Sequence, residues 1–238
     1  MKPNTAFLLA LSVLAFSTAL YAQPVPTNSA TTSVTARAKS DADVEKKAAD
    51  WVASLSLGDS AKEARVKDVI ATHLKAVHDW HNSHPPDTVP EGINPVTGKR
   101  LSQLDRQVIA DSAMPKTVHE NLMTGLRKDL SPEQVEAILD KYTVGKVAFT
   151  MKGYHAIVPD LTKEEESTIL EFLKQAREEA VDFKNMNEIS AIFEIYKTKS
   201  EQYLNSKGRD WRALYKSYTD AVRARKAAAT QTTNSPAR

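Results

Sequence analysis

A helix-opening signal recurs three times in this chain: Ser60-Ala61-Lys62-Glu63, Ser131-Pro132-Glu133-Gln134 and Thr162-Lys163-Glu164-Glu165. In each, a hydroxyl residue is followed three positions later by Glu or Gln, the pattern of a capping box. The hydroxyl accepts a hydrogen bond from a free N–H of the first turn, and the later side chain reaches back to the N–H of the cap residue. A leucine lies just upstream each time (Leu57, Leu130, Leu161), and an apolar stripe at spacings of three and four follows. A chain written this way folds as amphipathic helices with marked starts. The expected fold is all-α: an irregular antiparallel helical bundle with one short extended crossover.

The stripes place the helices. A first helix over 41–55 has only a weak stripe, Ala49, Val52 and Ala53 beside Trp51. A second, from the Ser60 box to about residue 82, carries Val66, Val69, Ile70, His73, Leu74, Val77 and Trp80 on one face, and Pro85-Pro86 stops it. The connection over 85–101 is long, with turn formers at Asn94-Pro95 and Thr97-Gly98, and its Ile93 and Val96 argue for an ordered loop. Helical pattern resumes over 104–113, breaks at Pro115, and returns with Val118, Leu122, Met123 and Leu126. The second box opens a helix with Val135, Ile138, Leu139 and Tyr142 that Gly145 closes. Residues 146–154 alternate like a strand and are expected to form the extended crossover. The third box opens a helix with Ile169, Phe172, Leu173, Ala176, Ala180 and Phe183 facing inward. Asn187 is expected to cap the next helix, with Ile189, Ile192, Phe193, Tyr196 and Leu204, and Gly208 to end it. Asp210 caps a last helix whose stripe includes Trp211, Leu214, Tyr218 and Val222.

The ends read differently. Lys2, an apolar run from Ala6 to Phe16 and then Tyr21-Ala22-Gln23 make a secretory signal peptide over 1–22, cleaved after Ala22. The rival reading, an uncleaved anchor, is weakened because the apolar run is short for a span of about 20 residues. Residues 23–40 and 230–238, rich in Ser, Thr, Ala and Pro, read as a flexible linker and a disordered tail around a helical domain over 41–229. The expected location is therefore periplasmic or secreted, with no membrane span after signal cleavage.

Composition closes several routes. With no cysteine there is no disulfide, no thiolate chemistry, no cysteine-bound zinc and no lipid anchor at a new N-terminus. A net charge of +2 with both signs interleaved gives no steering toward nucleic acid. Seven glycines leave little for a phosphate cradle. The nearest approach, Gly92 to Gly98-Lys99, has one residue too many between the glycines and lacks the following Ser or Thr. No Gly-x-Ser-x-Gly elbow is present.

Three constellations remain. His73, His78, His81 and His84 fall within twelve residues, and His78, His81 and His84, three apart, are weak candidate metal ligands with Asp79 nearby. Against this, His73 sits in the apolar stripe, as a hydrogen-bonded core residue would. Lys152, Tyr154 and His155, around Gly153, could grip a sugar or an anion; the competing reading buries Tyr154 and leaves Lys152 in solvent. Arg177, Glu178, Glu179 and Asp182 share one helix. Glycoside hydrolysis wants carboxylates facing across a substrate, so this set reads more readily as a solvated face, with Arg177 near the apolar side bracing a neighbouring helix. Lys152, Tyr154, His155 and Arg177 are the ligand-binding candidates; no catalytic residue, cofactor or metal is assigned.

Four stretches together resemble a known family. They are Ala61-Lys62-Glu63-Ala64-Arg65-Val66-Lys67-Asp68-Val69-Ile70; Lys152-Gly153-Tyr154 with Val158-Pro159-Asp160-Leu161-Thr162; Ala176-Arg177-Glu178-Glu179-Ala180-Val181-Asp182; and Tyr203-Leu204 with Gly208. In this order they resemble the secreted bacterial family DUF3826, across most of the chain after the leader. The loop at 90–99 is longer and richer in proline than in that family. The resemblance implies a secreted, mostly helical protein linked to polysaccharide utilisation, and supplies no catalytic residues. A looser likeness, at Leu130-Ser131-Pro132-Glu133-Gln134, is to small periplasmic helical chaperones with a Leu-Thr-x-x-Gln repeat. The expected function is a non-enzymatic accessory or binding protein, with a glycan or another secreted protein as partner. The alternatives are a glycan-active enzyme of unfamiliar type and a holdase-like chaperone.

Overall fold

Stripes that recur at three and four leave each helix one apolar face to bury, and the chain buries them in two places. The computed structural model describes residues 28–95 and 97–233. Among these it forms nine α-helices and no strand: α1 Asn28–Ala53, α2 Ser60–Ser83, α3 Gln103–Ser112, α4 Lys116–Asp129, α5 Pro132–Tyr142, α6 Lys146–Ile157, α7 Lys163–Ala180, α8 Met186–Ser206 and α9 Trp211–Thr233. The all-α expectation holds. Residues Ser40–Arg238 make one compact unit. The leader expected over 1–22 lies outside the described residues. Among the described residues no helix is long and apolar enough to cross a membrane.

The first core joins α1, α2, α4 and α5. Val44, Ala48 and Val52 of α1 meet Val66, Ile70 and Leu74 of α2, Leu122 and Leu126 of α4, and Ile138 and Leu139 of α5. The second joins α6, α7 and α8. Val147, Met151 and Tyr154 meet Ile169, Leu173 and Ala176, and then Ile189, Ile192 and Phe193, with Trp211 and Leu214 of α9 against the edge. Where α7 ends the chain touches both cores: Ala180 and Phe183 belong to the second and Val181 to the first.

Two of the expected capping boxes form as read. Ser131 and Gln134 cap α5 reciprocally, and Thr162 and Glu165 cap α7. At α2 the cap is Asp59 and not Ser60: its carboxylate accepts from the N–H groups of Ala61 and Lys62, both at 3.0 Å. A carboxylate one residue earlier outcompetes the hydroxyl because its charge also suits the positive end of the helix. Likewise α8 is capped by Asn185 with Glu188 in a full box, and not by Asn187. A further box, Ser102 with Asp105, opens α3. Asp210 caps α9 as expected, accepting from the Ala213 N–H at 3.0 Å.

The extended crossover expected at 146–154 is α6. Its buried residues Val147, Met151, Tyr154 and Val158 are spaced four, three and four apart, a helical period, while Phe149, which created the strand-like alternation, is 77% exposed. Gly145 makes the helix possible. Its left-handed φ of 67° ends α5, with its N–H on the Asp140 carbonyl at 2.9 Å, and starts α6 one residue later. The linker expected over 23–40 is also helical from Asn28 onward, as α1; between Asn28 and Ala53 there is no Gly or Pro to stop it. At the other end α9 runs to Thr233, into the expected tail. Among its described residues the 85–101 connection holds a 3-10 turn, Pro86–Thr88, and a bridge, Ile93 to Arg100, closed by Leu101 N–H to the Gly92 carbonyl at 2.9 Å. Ile93 itself is exposed, so the backbone bonds organise this loop and not burial of that side chain.

One contact is tight enough to test. Gly125 of α4 faces Val69 of α2, and a Cβ there would lie 2.6 Å from Val69 Cγ2. Gly125→Ala is expected to destabilise by about 1–2 kcal/mol despite the better helix propensity of Ala, since overpacking costs about 1–3 kcal/mol. In a Val69→Ala background the same change is expected to be neutral or stabilising. Urea unfolding of the four proteins in this cycle measures it.

Candidate functional site

A cleft of about 940 Å³ opens between the two cores. Its floor is apolar, with Met123, Leu130, Val135 and Leu139 on one side and Phe183 and Tyr196 on the other. Its rim is charged in both signs. α4 gives Lys116, His119, Glu120 and Arg127; α5 gives Glu136; α7 and the turn after it give Lys174, Arg177, Glu178, Glu179 and Asp182.

Asp182 organises the rim. It follows the end of α7 and is held from two directions: His73 Nε2 of α2 lies 2.9 Å from its Oδ1, and His119 Nδ1 of α4 lies 2.9 Å from its Oδ2. Carboxylate oxygens only accept, so both imidazoles donate. His73 Nδ1 is buried without a partner, so that ring acts through Nε2 alone. Burial alone would raise the Asp182 carboxyl; the hydrogen bonds from His119 and His73 overcome it and hold the group below the ordinary carboxylate range. The same bond to Asp182 raises His119 above its ordinary value, against burial. With Nδ1 occupied, His119 presents Nε2 to the rim, 3.7 Å from Glu178, whose carboxylate also lies 3.6 Å from Arg127. An imidazole oriented through one nitrogen by a carboxylate is the arrangement that acid–base chemistry uses.

Several of the remaining rim charges are paired. Arg177, 3% exposed, bonds Asp140 at 2.7 Å and reaches Glu136 at 3.5 Å, while Lys174 donates to Glu136 at 2.7 Å. Arg177 thus braces α7 against α5. Tyr196 donates to Glu179 at 2.8 Å, and its hydroxyl is pushed up to about 12 by burial first and by Glu179.

The sequence candidates separate. Arg177 lines the cleft, whereas Lys152, Tyr154 and His155 do not. Tyr154 is buried, donating to the Lys197 carbonyl at 3.3 Å; Lys152 is exposed; His155 pairs with Glu166 at 3.4 Å. Of the 176–182 set, read as a solvated face, Arg177, Glu178, Glu179 and Asp182 all line the cleft. His73 is the hydrogen-bonded core residue its place in the stripe suggested.

The other histidines do not converge on one point. His84 donates from Nδ1 to the Trp80 carbonyl at 2.9 Å and stacks on the Trp80 ring at 3.7 Å. His78 is half-buried, and burial, then Lys184 and Lys47, lower its proton affinity. His81 turns instead toward Asp111 of α3, with Nδ1 at 2.9 Å from Oδ2, and toward Glu188 of α8, at 3.5 Å from Oε1. Both carboxylates are buried, and burial, then Asp111, raise the Glu188 carboxyl. Among the described residues this is the group of three side chains placed to hold a metal ion.

His119, Asp111 and Glu188 escaped the sequence reading because their partners are 63, 30 and 107 residues away. One signal was available for Asp111: it shares the buried face of α3 with Ala110 and Gln107, where a charge is out of place.

Fold and cleft together define an all-helical protein with a ligand-sized, two-signed cleft at the junction of two cores. The chain belongs to the family described as "Protein of unknown function (DUF3826)", which it matches over residues 41–224. Comparison with curated proteins finds no match.

The His119–Asp182 pair sets a pH window. His119 is raised above 6.5, so its stabilisation is full below about 6.5 and is lost as pH rises through the folded value. Asp182 is lowered from 3.8, so its contribution is present above about 3.8 and is lost as pH falls through its folded value. Asp182→Asn is expected to lower the His119 titration midpoint, since burial is then opposed only by Glu178. Imidazole resonances followed by NMR against pH measure this; an unchanged midpoint contradicts the assignment.

Proposed function

We propose that the protein is a periplasmic or secreted accessory protein that binds a glycan in the cleft between its two cores, as part of polysaccharide utilisation. The observation that carries this reading is the lining: an apolar floor with Phe183 and Tyr196, and a rim of both charge signs on which Lys174 and Arg177 are already held by Glu136 and Asp140. A sugar ring offers an apolar face to such a floor and hydroxyls that both donate and accept to such a rim. Groups held in place before the ligand arrives lose little freedom on binding. The leader-like first 22 residues support the location, and the link to polysaccharide is the expectation carried over from the sequence resemblance.

A second reading, a glycan-active enzyme, is favoured by one feature: His119, oriented by Asp182, faces Glu178 across the rim. A proton-transfer pair there would act on a ligand bound over Met123 and Leu139. The version built on Lys152, Tyr154 and His155 has no support from the cleft.

A glycan-array screen of the mature chain, followed by calorimetry on the hits, tests both readings. His119→Ala and Arg127→Ala are expected to weaken binding by about tenfold, a loss of about 1.4 kcal/mol each, while Lys152→Ala leaves it unchanged. Equal loss with Lys152→Ala, or no glycan bound by the wild type, rejects the cleft. Depolymerisation of a bound polysaccharide that Glu178→Gln abolishes would replace the accessory reading with the enzymatic one.

A further inference from the structure

Beside the cleft, and independent of what it binds, α2, α3 and α8 bring His81, Asp111 and Glu188 to one point. We propose that these three side chains bind a divalent transition-metal ion, with zinc or manganese as the fitting class.

The first argument is geometric. Donor atoms about 2.1 Å from a shared ion lie about 3.0 Å apart at right angles and about 3.4 Å apart at tetrahedral angles. His81 Nδ1 is 2.9 Å from Asp111 Oδ2 and 3.5 Å from Glu188 Oε1, and all three donor atoms lie within 4.8 Å of one another. An ion can enter this triangle with small side-chain shifts. The ring then binds as its Nε2–H tautomer, with the Nδ1 lone pair on the ion.

The second argument is charge. Asp111 is 3% exposed and Glu188 2% exposed. Among the described residues neither has a lysine or arginine within ion-pair distance; the one shared partner is His81. Burial resists ionisation of two carboxylates that face one imidazole, and a dication at that point supplies the balancing charge.

The third argument is the outer support. Gln107 donates to Asp111 Oδ1 at 3.0 Å and to the His84 carbonyl at 3.1 Å, which leaves Oδ2 free to turn inward. Asn185 donates to Glu188 Oε1 at 2.6 Å, and that oxygen keeps a second lone pair for the ion. Fixed outer partners of this kind orient metal ligands. One nitrogen and two oxygens suit zinc, manganese or ferrous iron better than copper(I), which prefers sulfur, or calcium, which prefers oxygen alone. Three protein ligands leave at least one position open, and Asp111 also lines the cleft.

The test uses untagged mature protein stripped with EDTA and dialysed. Calorimetric titration with zinc chloride and with manganese chloride is expected to show one equivalent bound for at least one of them. At about a hundredfold excess over Kd the melting temperature should rise by roughly 5–10 °C. Asp111→Asn and Glu188→Gln, both near-isosteric, are each expected to weaken binding tenfold or more, and His78→Ala to leave it unchanged. Circular dichroism checks that each variant keeps wild-type helicity, and the visible absorption of added cobalt(II) reports the ligand set directly. No saturable binding of either metal overturns the proposal. So does binding that survives both carboxylate variants within twofold, which would place the ion elsewhere. Because no glycan is present, either result is read separately from the cleft's ligand.

Discussion

One carboxylate ties the halves of this fold together. Asp182 sits in the turn after α7, between Val181 of the first core and Phe183 of the second, and it accepts hydrogen bonds from an imidazole on α2 and another on α4. A carboxylate mostly removed from water is costly unless its lone pairs are met by donors, and here two rings meet them at 2.9 Å. The arrangement therefore fixes three segments at once: the end of α7, the middle of α2 and the first turns of α4. It also fixes the cleft, because holding His119 by Nδ1 decides which nitrogen the cleft receives.

A second anchor works the same way at the far end of α7. Glu165 closes the capping box with Thr162 and also accepts from Arg209 Nε and Nη2, at 3.0 and 2.9 Å. Arg209 lies in the turn between α8 and α9, so one residue caps a helix and pins the chain that follows the next. The Arg209 bonds first, with burial opposing, pull the Glu165 carboxyl down to about 2. Both ends of α7 are thus held by acids with long-range partners, and α7 forms one wall of the cleft with its register set from both ends.

The helices were legible because their signals are local. Caps, stripes and stop residues act within a few positions, so Ser131, Thr162, Pro85 and Gly145 could be read one at a time. Where the reading failed, a nearer competitor won. Asp59 displaced Ser60 as cap, Asn185 displaced Asn187, and Phe149 lent a helical segment the look of a strand. The site was far less legible. Arg177 as a brace and His73 as a bonded core residue could be inferred from charge placed on an apolar face. The pairing of Asp182 with His119, or of Asp111 with His81, depends on how α2, α3, α4 and α7 pack, and no spacing in the chain encodes it.

The two acids at these junctions share an unfavourable setting. Asp111 lies in the last turn of α3, and Asp182 two residues past the end of α7. A negative charge near a helix C-terminus opposes the helix dipole, at a cost of about 0.3–1 kcal/mol. In both cases an imidazole from α2 is among the compensating groups, His73 for Asp182 beside His119, and His81 for Asp111. His73 and His81 are eight residues apart on that helix, about 12 Å along its axis. A single straight element thus carries one partner for the carboxylate that joins the cores and one for the buried pair beside the cleft. Movement of α2 would strain both, so the position of the cleft rim and the geometry of the His81 cluster are mechanically coupled through one helix.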